Sequence, residues 1–447
     1  MTVQRTNRIR SGEFRKGKKY DMYLFFVREF NDIDHITPIV WKMQRDNFPV
    51  AVFCLNPEYD LHGDYRLRFL RNRGVKVTYI FDEFNRALGP IHLIMRFIGR
   101  TCFAVANRLD NHSRTLFSAG LAALQKRAGK IGKKLYKRCR QKFYDISWAR
   151  NIIEQSGARI VCFDHVNPKR YVVNILLTAA GEKRIPAIAL PHGVFIYTNN
   201  FVRTGSSEES RYKKFNRFDH IITQNKLRKE VLVRAGVDKE RISVLGSVRY
   251  CREWMAQNKK ILPRTMKMAT ENSGRLKAVF MTTRFAYRID VERMLKTFDL
   301  LSELKGMEIV VKPHTRSGQE AQVYESIPLS NVYEFSSVEL CEWADVMLVI
   351  GSSILIETLV QGKPVLYLKY LHENTTEYEQ LGACWTIHDE AELKDALLSL
   401  QSNEADLPYT EENSNRFLSE IIYGGRGARD VLGDYEKFIV SHAENRV

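Results

Sequence analysis

Short apolar runs alternate with stretches of helical periodicity along this chain, and that alternation constrains the fold most. Runs at 23–27, 50–55, 75–81, 160–163, 187–190, 220–223 and 243–245 read as strands. Residues 36–43, 66–72, the segment after Arg170 and 226–235 read as helices between them. Strands that alternate with helices build a parallel sheet covered on its faces. The pattern then begins again, with strands at 277–281, 308–311, 346–350 and 365–368 and helices at 291–304, 338–343 and 354–361. The polar stretch 255–275 reads as the link. The expected class is α/β, with two Rossmann-like domains facing a cleft: 1–250, interrupted by a helical insert at about 90–155, and 251–447, which takes in the C-terminal helices.

The insert holds much of the formal net charge of +17. Residues 126–142 carry lysine and arginine without one acid, while Leu121, Leu124, Ala128, Ile131, Leu135, Cys139 and Phe143 recur at helical steps. A basic amphipathic helix of this kind over 121–143 suits an anionic membrane surface. The alternative is a helix docked on its own protein with a solvated basic face. No nucleic-acid motif accompanies the charge, so no nucleic-acid partner is expected. The longest apolar stretch, 91–106, is broken by Arg96 and Arg100, and the polar N-terminus has no secretory pattern. The expected place is the cytoplasm, at most peripheral at the inner face of the membrane. Seven scattered cysteines without a CxxC pair fit a reducing compartment and give no metal-ligand spacing, so no metal is expected.

In open α/β sheets ligands bind beyond the carboxyl ends of the strands. Those loops are rich in polar residues here. Asp164 follows the strand at 160–163, and Pro191-His192-Gly193 follows 187–190. Arg249 lies in Gly246-Ser247-Val248-Arg249-Tyr250. Thr282, Thr283 and Arg284 follow 277–281, and Lys312-Pro313-His314-Thr315-Arg316 follows 308–311. Gly351, Ser352 and Ser353 open a helix that carries Glu357. Hydroxyls, cations and free N–H groups at a helix start suit phosphate, and Glu357 suits ribose hydroxyls. Each residue alone has an ordinary reading as a cap, a surface cation or a histidine held by a carbonyl. Their register after successive strands makes the functional case. No Walker loop, no GxGxxG after the first strand and no G-x-S-x-G elbow is present, which disfavours ATPases, nicotinamide enzymes and α/β-hydrolases.

LPHG, VLGSVRY, VVKPHTR and ADVMLVIGSSILIETLVQGKPVLYL, in that order, resemble bacterial surface-carbohydrate transferases of the GT-B fold over 159–371. The histidine-proline and serine-serine motifs of bacterial sialyltransferases and Kdo transferases hold the phosphate of a CMP-sugar. The resemblance implies that role for His314 and for Ser352 with Ser353, although Thr315 departs from the usual pattern. It implies a glycosyltransferase moving Kdo or a related acidic sugar from a CMP-sugar donor to a surface polysaccharide or lipid-linked glycan, without a cofactor. The C-terminal domain would hold the nucleotide through Arg249, Thr282, Thr283, Arg284, Lys312, His314, Arg316, Gly351, Ser352, Ser353 and Glu357. Asp164 and His192 would serve the acceptor or the anomeric carbon. The C-terminal segment is also similar to UDP-GlcNAc 2-epimerases through its Ser…Glu…Gly-Lys-Pro pattern, although their acid and histidine landmarks do not stand out in the N-terminal half. CDP-polyol phosphotransferases share His-Gly, but have Asp-Tyr-Ser-Ser where this chain has Val349-Ile350-Gly351-Ser352-Ser353. A nucleotide-sugar-binding protein without activity is the non-enzyme alternative.

Overall fold

The apolar runs form two parallel sheets in a computed structural model that describes residues 21–57, 59–83, 144–164, 171–199, 217–264, 274–314, 321–402 and 406–444. The first sheet holds β1 (Met22–Val27), β2 (Val50–Cys54), β3 (Lys76–Tyr79), β4 (Ala158–Asp164), β5 (Ala187–Leu190), β6 (His220–Thr223) and β7 (Ile242–Val244). Their order is β3-β2-β1-β4-β5-β6-β7, all in parallel pairs. Phe26 stands opposite both Phe53 and Phe163 in register, and its ring stacks on Phe163 at 4.5 Å between centroids. Helices cover both faces of β1 and β2, which explains their unbroken apolar runs.

The second sheet holds β8 (Leu276–Met281), β9 (Met307–Lys312), β10 (Ser330–Asn331), β11 (Val346–Val349), β12 (Val365–Leu368) and β13 (Trp385–Ile387). Its order is β10-β9-β8-β11-β12-β13. Each sheet reverses its winding once, between β1 and β4 and between β8 and β11. Such switch points open a crevice at the carboxyl ends of the strands. Two Rossmann-like domains thus face a cleft, the GT-B arrangement.

The helices of the first half are α1 (Phe30–Arg45), α2 (Tyr65–Asn72), α3 (Ile146–Gln155), α4 (Tyr171–Glu182) and α5 (Lys226–Arg234). Then come α6 (Arg252–Ile261), α7 (Val291–Ser302), α8 (Ser337–Trp343), α9 (Leu355–Val360), α10 (Glu390–Gln401), α11 (Glu411–Tyr423) and α12 (Val431–Glu444). Two of them differ from the sequence reading. The stretch read as a polar link begins inside α6, whose Trp254 is buried against Trp41 and Phe69 in the first domain. The chain also returns at its end. Val431, Leu432, Tyr435, Ile439 and Ala443 of α12 share a core with Tyr23, Phe25 and Val27 of β1. The second domain was expected to take in all of 251–447. An amphipathic pattern marks a helix with one buried face but does not say which sheet that face covers.

Of the expected insert, the structure describes α3. The basic stretch 121–143 lies outside the described residues. Among the described residues no helix is long and apolar enough to cross a membrane.

The domains are stitched together beside the cleft. Tyr197 pairs with Thr376 in an antiparallel bridge, and the Thr198 N–H donates to the Thr375 carbonyl at 2.9 Å. The Asn225 amide donates to Glu377 at 2.9 Å. Between the domains lies a cavity of about 370 Å³, with Phe30, Asp34 and Tyr65 on one wall and Thr282, His314 and Ser352 on the other.

Candidate functional site

The first wall is built at the switch point between β1 and β4. Arg28 follows β1, and Asp164 is the last residue of the neighbouring β4. Arg28 Nε donates to Asp164 Oδ1 at 3.2 Å, and a second guanidinium nitrogen donates to Oδ2. Asp32, in the first turn of α1, accepts the backbone N–H groups of Arg28 and Glu29 at 2.8 and 3.3 Å. It therefore caps the helix while lying 3.3 Å from the Arg28 side chain. The loop after β5 brings His192 over both carboxylates. Its Nδ1 lies 2.8 Å from Asp32 Oδ1 and 3.0 Å from Asp164 Oδ2. The ring nitrogen thus lies within hydrogen-bonding distance of both carboxylates. Both carboxylates are fully buried, whereas the imidazole is 36% exposed and is the accessible member of the cluster.

The surroundings set the three groups differently. Burial pushes Asp164 up, but the Arg28 guanidinium and His192 together outweigh it and hold the carboxyl well below the usual range. Burial, joined by the charge of Asp164, raises Asp32 despite His192 and Arg28. Burial would lower His192, but the two carboxylates raise it to about 9. The imidazole is therefore a cation at neutral pH. Asp32, Asp164 and His192 offer three ligand-type atoms within 4.8 Å of one another. Arg28 already donates to both oxygens of Asp164, and that donor set does not fit a metal ion.

A second chain of buried charge runs from the first domain to the second. Arg66 is fully buried and donates to Asp34 Oδ1 at 2.8 Å and to Asp64 Oδ2 at 2.7 Å, with its guanidinium 3.9 Å from the Phe30 ring centroid. Arg249 Nε lies 2.7 Å from Asp34 Oδ2. Burial opposes the ionised form of Asp34, but Arg249 and Arg66 keep it lowered. Across the cleft, burial raises Glu357 to about 7, tempered by Arg249. Arg249 thus stands between a carboxylate of each domain.

The second wall lies at the other switch point. Thr282, after β8, accepts the His314 N–H at 2.9 Å and donates to the Lys312 carbonyl at 3.4 Å, which fixes the turn after β9. Lys312 Nζ donates to the carbonyls of Val332 and Tyr333 at 3.2 and 2.6 Å, and burial lowers it to about 8. It ties a loop as well as lining the cavity. Gly351, after β11, has φ +110, and Ser352 and Ser353 lead into α9.

Arg249, Thr282, Lys312, His314, Ser352, Ser353 and Glu357 line the same cavity. Thr283 and Arg284 are not among its lining residues. Thr283 is buried, and Arg284 precedes the short helix Phe285–Tyr287. Arg316 lies outside the described residues. Asp164 and His192 meet beside Asp32, which the sequence reading missed along with Arg28, Asp34 and Arg66. The strand-end rule reaches Arg28, which directly follows the first apolar run. Asp32 and Asp34 carry the ordinary signature of a helix start, which hides them.

No protein-family model matches the sequence, and no curated protein matches it. Solved structures do. UDP-GlcNAc 2-epimerase from Neisseria meningitidis bound to UDP-GlcNAc superposes with a TM-score of 0.51 at 13% identity, over 94% of this chain and 99% of the other. The Methanocaldococcus jannaschii enzyme in complex with UDP-GlcNAc and UDP gives 0.51 at 13%, over 88% and 98%. The Rickettsia bellii UDP-N-acetylglucosamine 2-epimerase gives 0.51 at 11%, over 95% and 97%. At such identities the likeness establishes the fold. It also corrects the expectation of a glycosyltransferase using a CMP-sugar. These three structures, which share the architecture over most of the chain, are 2-epimerases, so the epimerase alternative accords with them better. The N-terminal half does hold a cluster of acids and a histidine, assembled from residues far apart in sequence.

Proposed function

We propose that this protein binds a UDP-sugar in its cleft and epimerises the sugar at C2. The nucleotide lies on the second domain, and the first domain moves the proton. The observation that carries this reading is the Asp32–His192–Asp164 cluster with Arg28, beside the cavity-lining residues Asn31 and Asp34.

Inverting a carbon that bears hydrogen requires a proton to leave one face and another to arrive on the opposite face. Asp32, a desolvated carboxylate, is the proton acceptor, and His192, a protonated imidazole, is the donor. Because the two lie 2.8 Å apart on one side, the unsaturated sugar turns over between loss and return of the proton. Arg28 keeps Asp164 ionised, and Asp164 helps to keep His192 protonated. Two carboxylates whose surroundings push them apart suit distinct roles. The C2–H bond is weakly acidic, so its loss is coupled to departure of UDP from the adjacent anomeric carbon. The C–H electron pair becomes a C1=C2 double bond as the C1–O bond breaks. Return of UDP with a proton to the other face gives the epimer. Arg249, His314 and the N–H groups near Ser352 face the charge that develops on the leaving diphosphate.

The test is incubation with UDP-GlcNAc in deuterium oxide, followed by proton NMR. Deuterium is expected at the sugar C2 together with the C2 epimer. Asp32→Asn is expected to abolish exchange while still binding UDP. No deuterium at C2 with the wild-type protein, or undiminished exchange in the variant, overturns the reading.

A further inference from the structure

The loop that carries His192 does not end in its own domain. Five residues on, Tyr197 is buried at the domain boundary, and its hydroxyl donates to the carbonyl of Gly351 at 2.9 Å. Its ring stacks on Tyr287 at 5.8 Å between centroids and 19° between planes. Gly351 has φ +110, and a Cβ there would lie 3.1 Å from the phenol oxygen. Glycine therefore both permits the backbone conformation and leaves room for the phenol.

The Gly351 carbonyl and the Ser352 N–H belong to one planar, trans peptide unit, so the two groups point in opposite directions. Holding the carbonyl toward Tyr197 turns the Ser352 N–H the other way. Ser352 and Ser353 line the cavity. On the other side of the turn Tyr250 donates to the Ser353 carbonyl at 3.1 Å, which restrains the same segment.

We propose that Tyr197 is a positioning residue that aims the Ser352 N–H at the diphosphate of the bound nucleotide, so that the His192 loop and the anion-binding turn are set by one hydrogen bond. This rests on the nucleotide reading above. The phenol touches neither nucleotide nor sugar. It acts through the peptide plane.

The test compares UDP with uridine, which has the same base and ribose but no diphosphate. Tyr197→Phe keeps the ring and removes one hydrogen bond, so UDP binding is expected to weaken about 3- to 10-fold. Uridine binding, followed by NMR titration, is expected to stay unchanged, while the loss of one buried hydrogen bond lowers the melting temperature only slightly. Gly351→Ala, which forces a Cβ against the phenol and strains the turn, is expected to weaken UDP binding by a second route and to lower the melting temperature as well. Equal loss for UDP and uridine in Tyr197→Phe, or no loss for either, overturns the assignment. Failure of the wild-type protein to bind UDP overturns the nucleotide reading, and this inference with it, in a separate arm.

Discussion

His192 and Asp164 were legible as residues at strand ends, but their protonation states come from neighbours that the sequence scatters. Arg28 and Asp32 lie far from both in the chain. Because the carboxylates raise His192 from 6.5 to about 9, its proton stabilises the folded protein. That contribution is complete below about 6.5 and is lost as pH rises through about 9. The melting temperature of the wild-type protein, measured against that of His192→Gln, is therefore expected to decline across this window. Lys312, lowered to about 8, works in the opposite direction but is common to both proteins and cancels. A difference independent of pH would contradict the protonated imidazole. Lys312 carries the converse lesson. Its place after an apolar strand marks it as a phosphate ligand, yet the carbonyls of Val332 and Tyr333 hold its ammonium group. Sequence position says where a cation is anchored, and only packing says what it binds.

The strands were legible because a strand buried on both faces must be continuously apolar, and β1, β2, β5, β11 and β12 are. The short β10 and β13 carry little apolar signal and were missed. The start of α6 was hidden by its charged residues, although Trp254 is the residue that decides its fate. The indole lies 5.6 Å from Trp41 and 6.3 Å from Phe69, centroid to centroid, and is essentially fully buried. Trp254→Ala removes this anchor and is expected to cost about 3–5 kcal/mol of stability, as aromatic truncation in a core does. Urea denaturation followed by circular dichroism measures it. A loss within about 0.5 kcal/mol, the range of an ordinary surface substitution, would mean that the helix is a loose link after all.

For the whole molecule, the two-domain architecture followed from the repeated alternation of strands and helices. The stitching between the domains did not. Bonds such as Thr198 to Thr375 and Asn225 to Glu377 join residues with no shared motif. The return of α12 to the first sheet was equally silent, and it orders events during synthesis. A ribosome delivers β1 to β7 first, then the entire second sheet, and only afterwards the helix that covers one face of the first. Domains generally fold in the order in which they emerge. Here the earlier domain must wait for the later one to leave the exit tunnel. A chain stopped after Asp430 lacks Val431, Leu432, Tyr435, Ile439 and Ala443, and is expected to bind a hydrophobic dye and to be cut readily by protease within 21–83. The full chain is expected to resist both. Until the last helix arrives, that apolar face of the first sheet lacks the cover that α12 supplies.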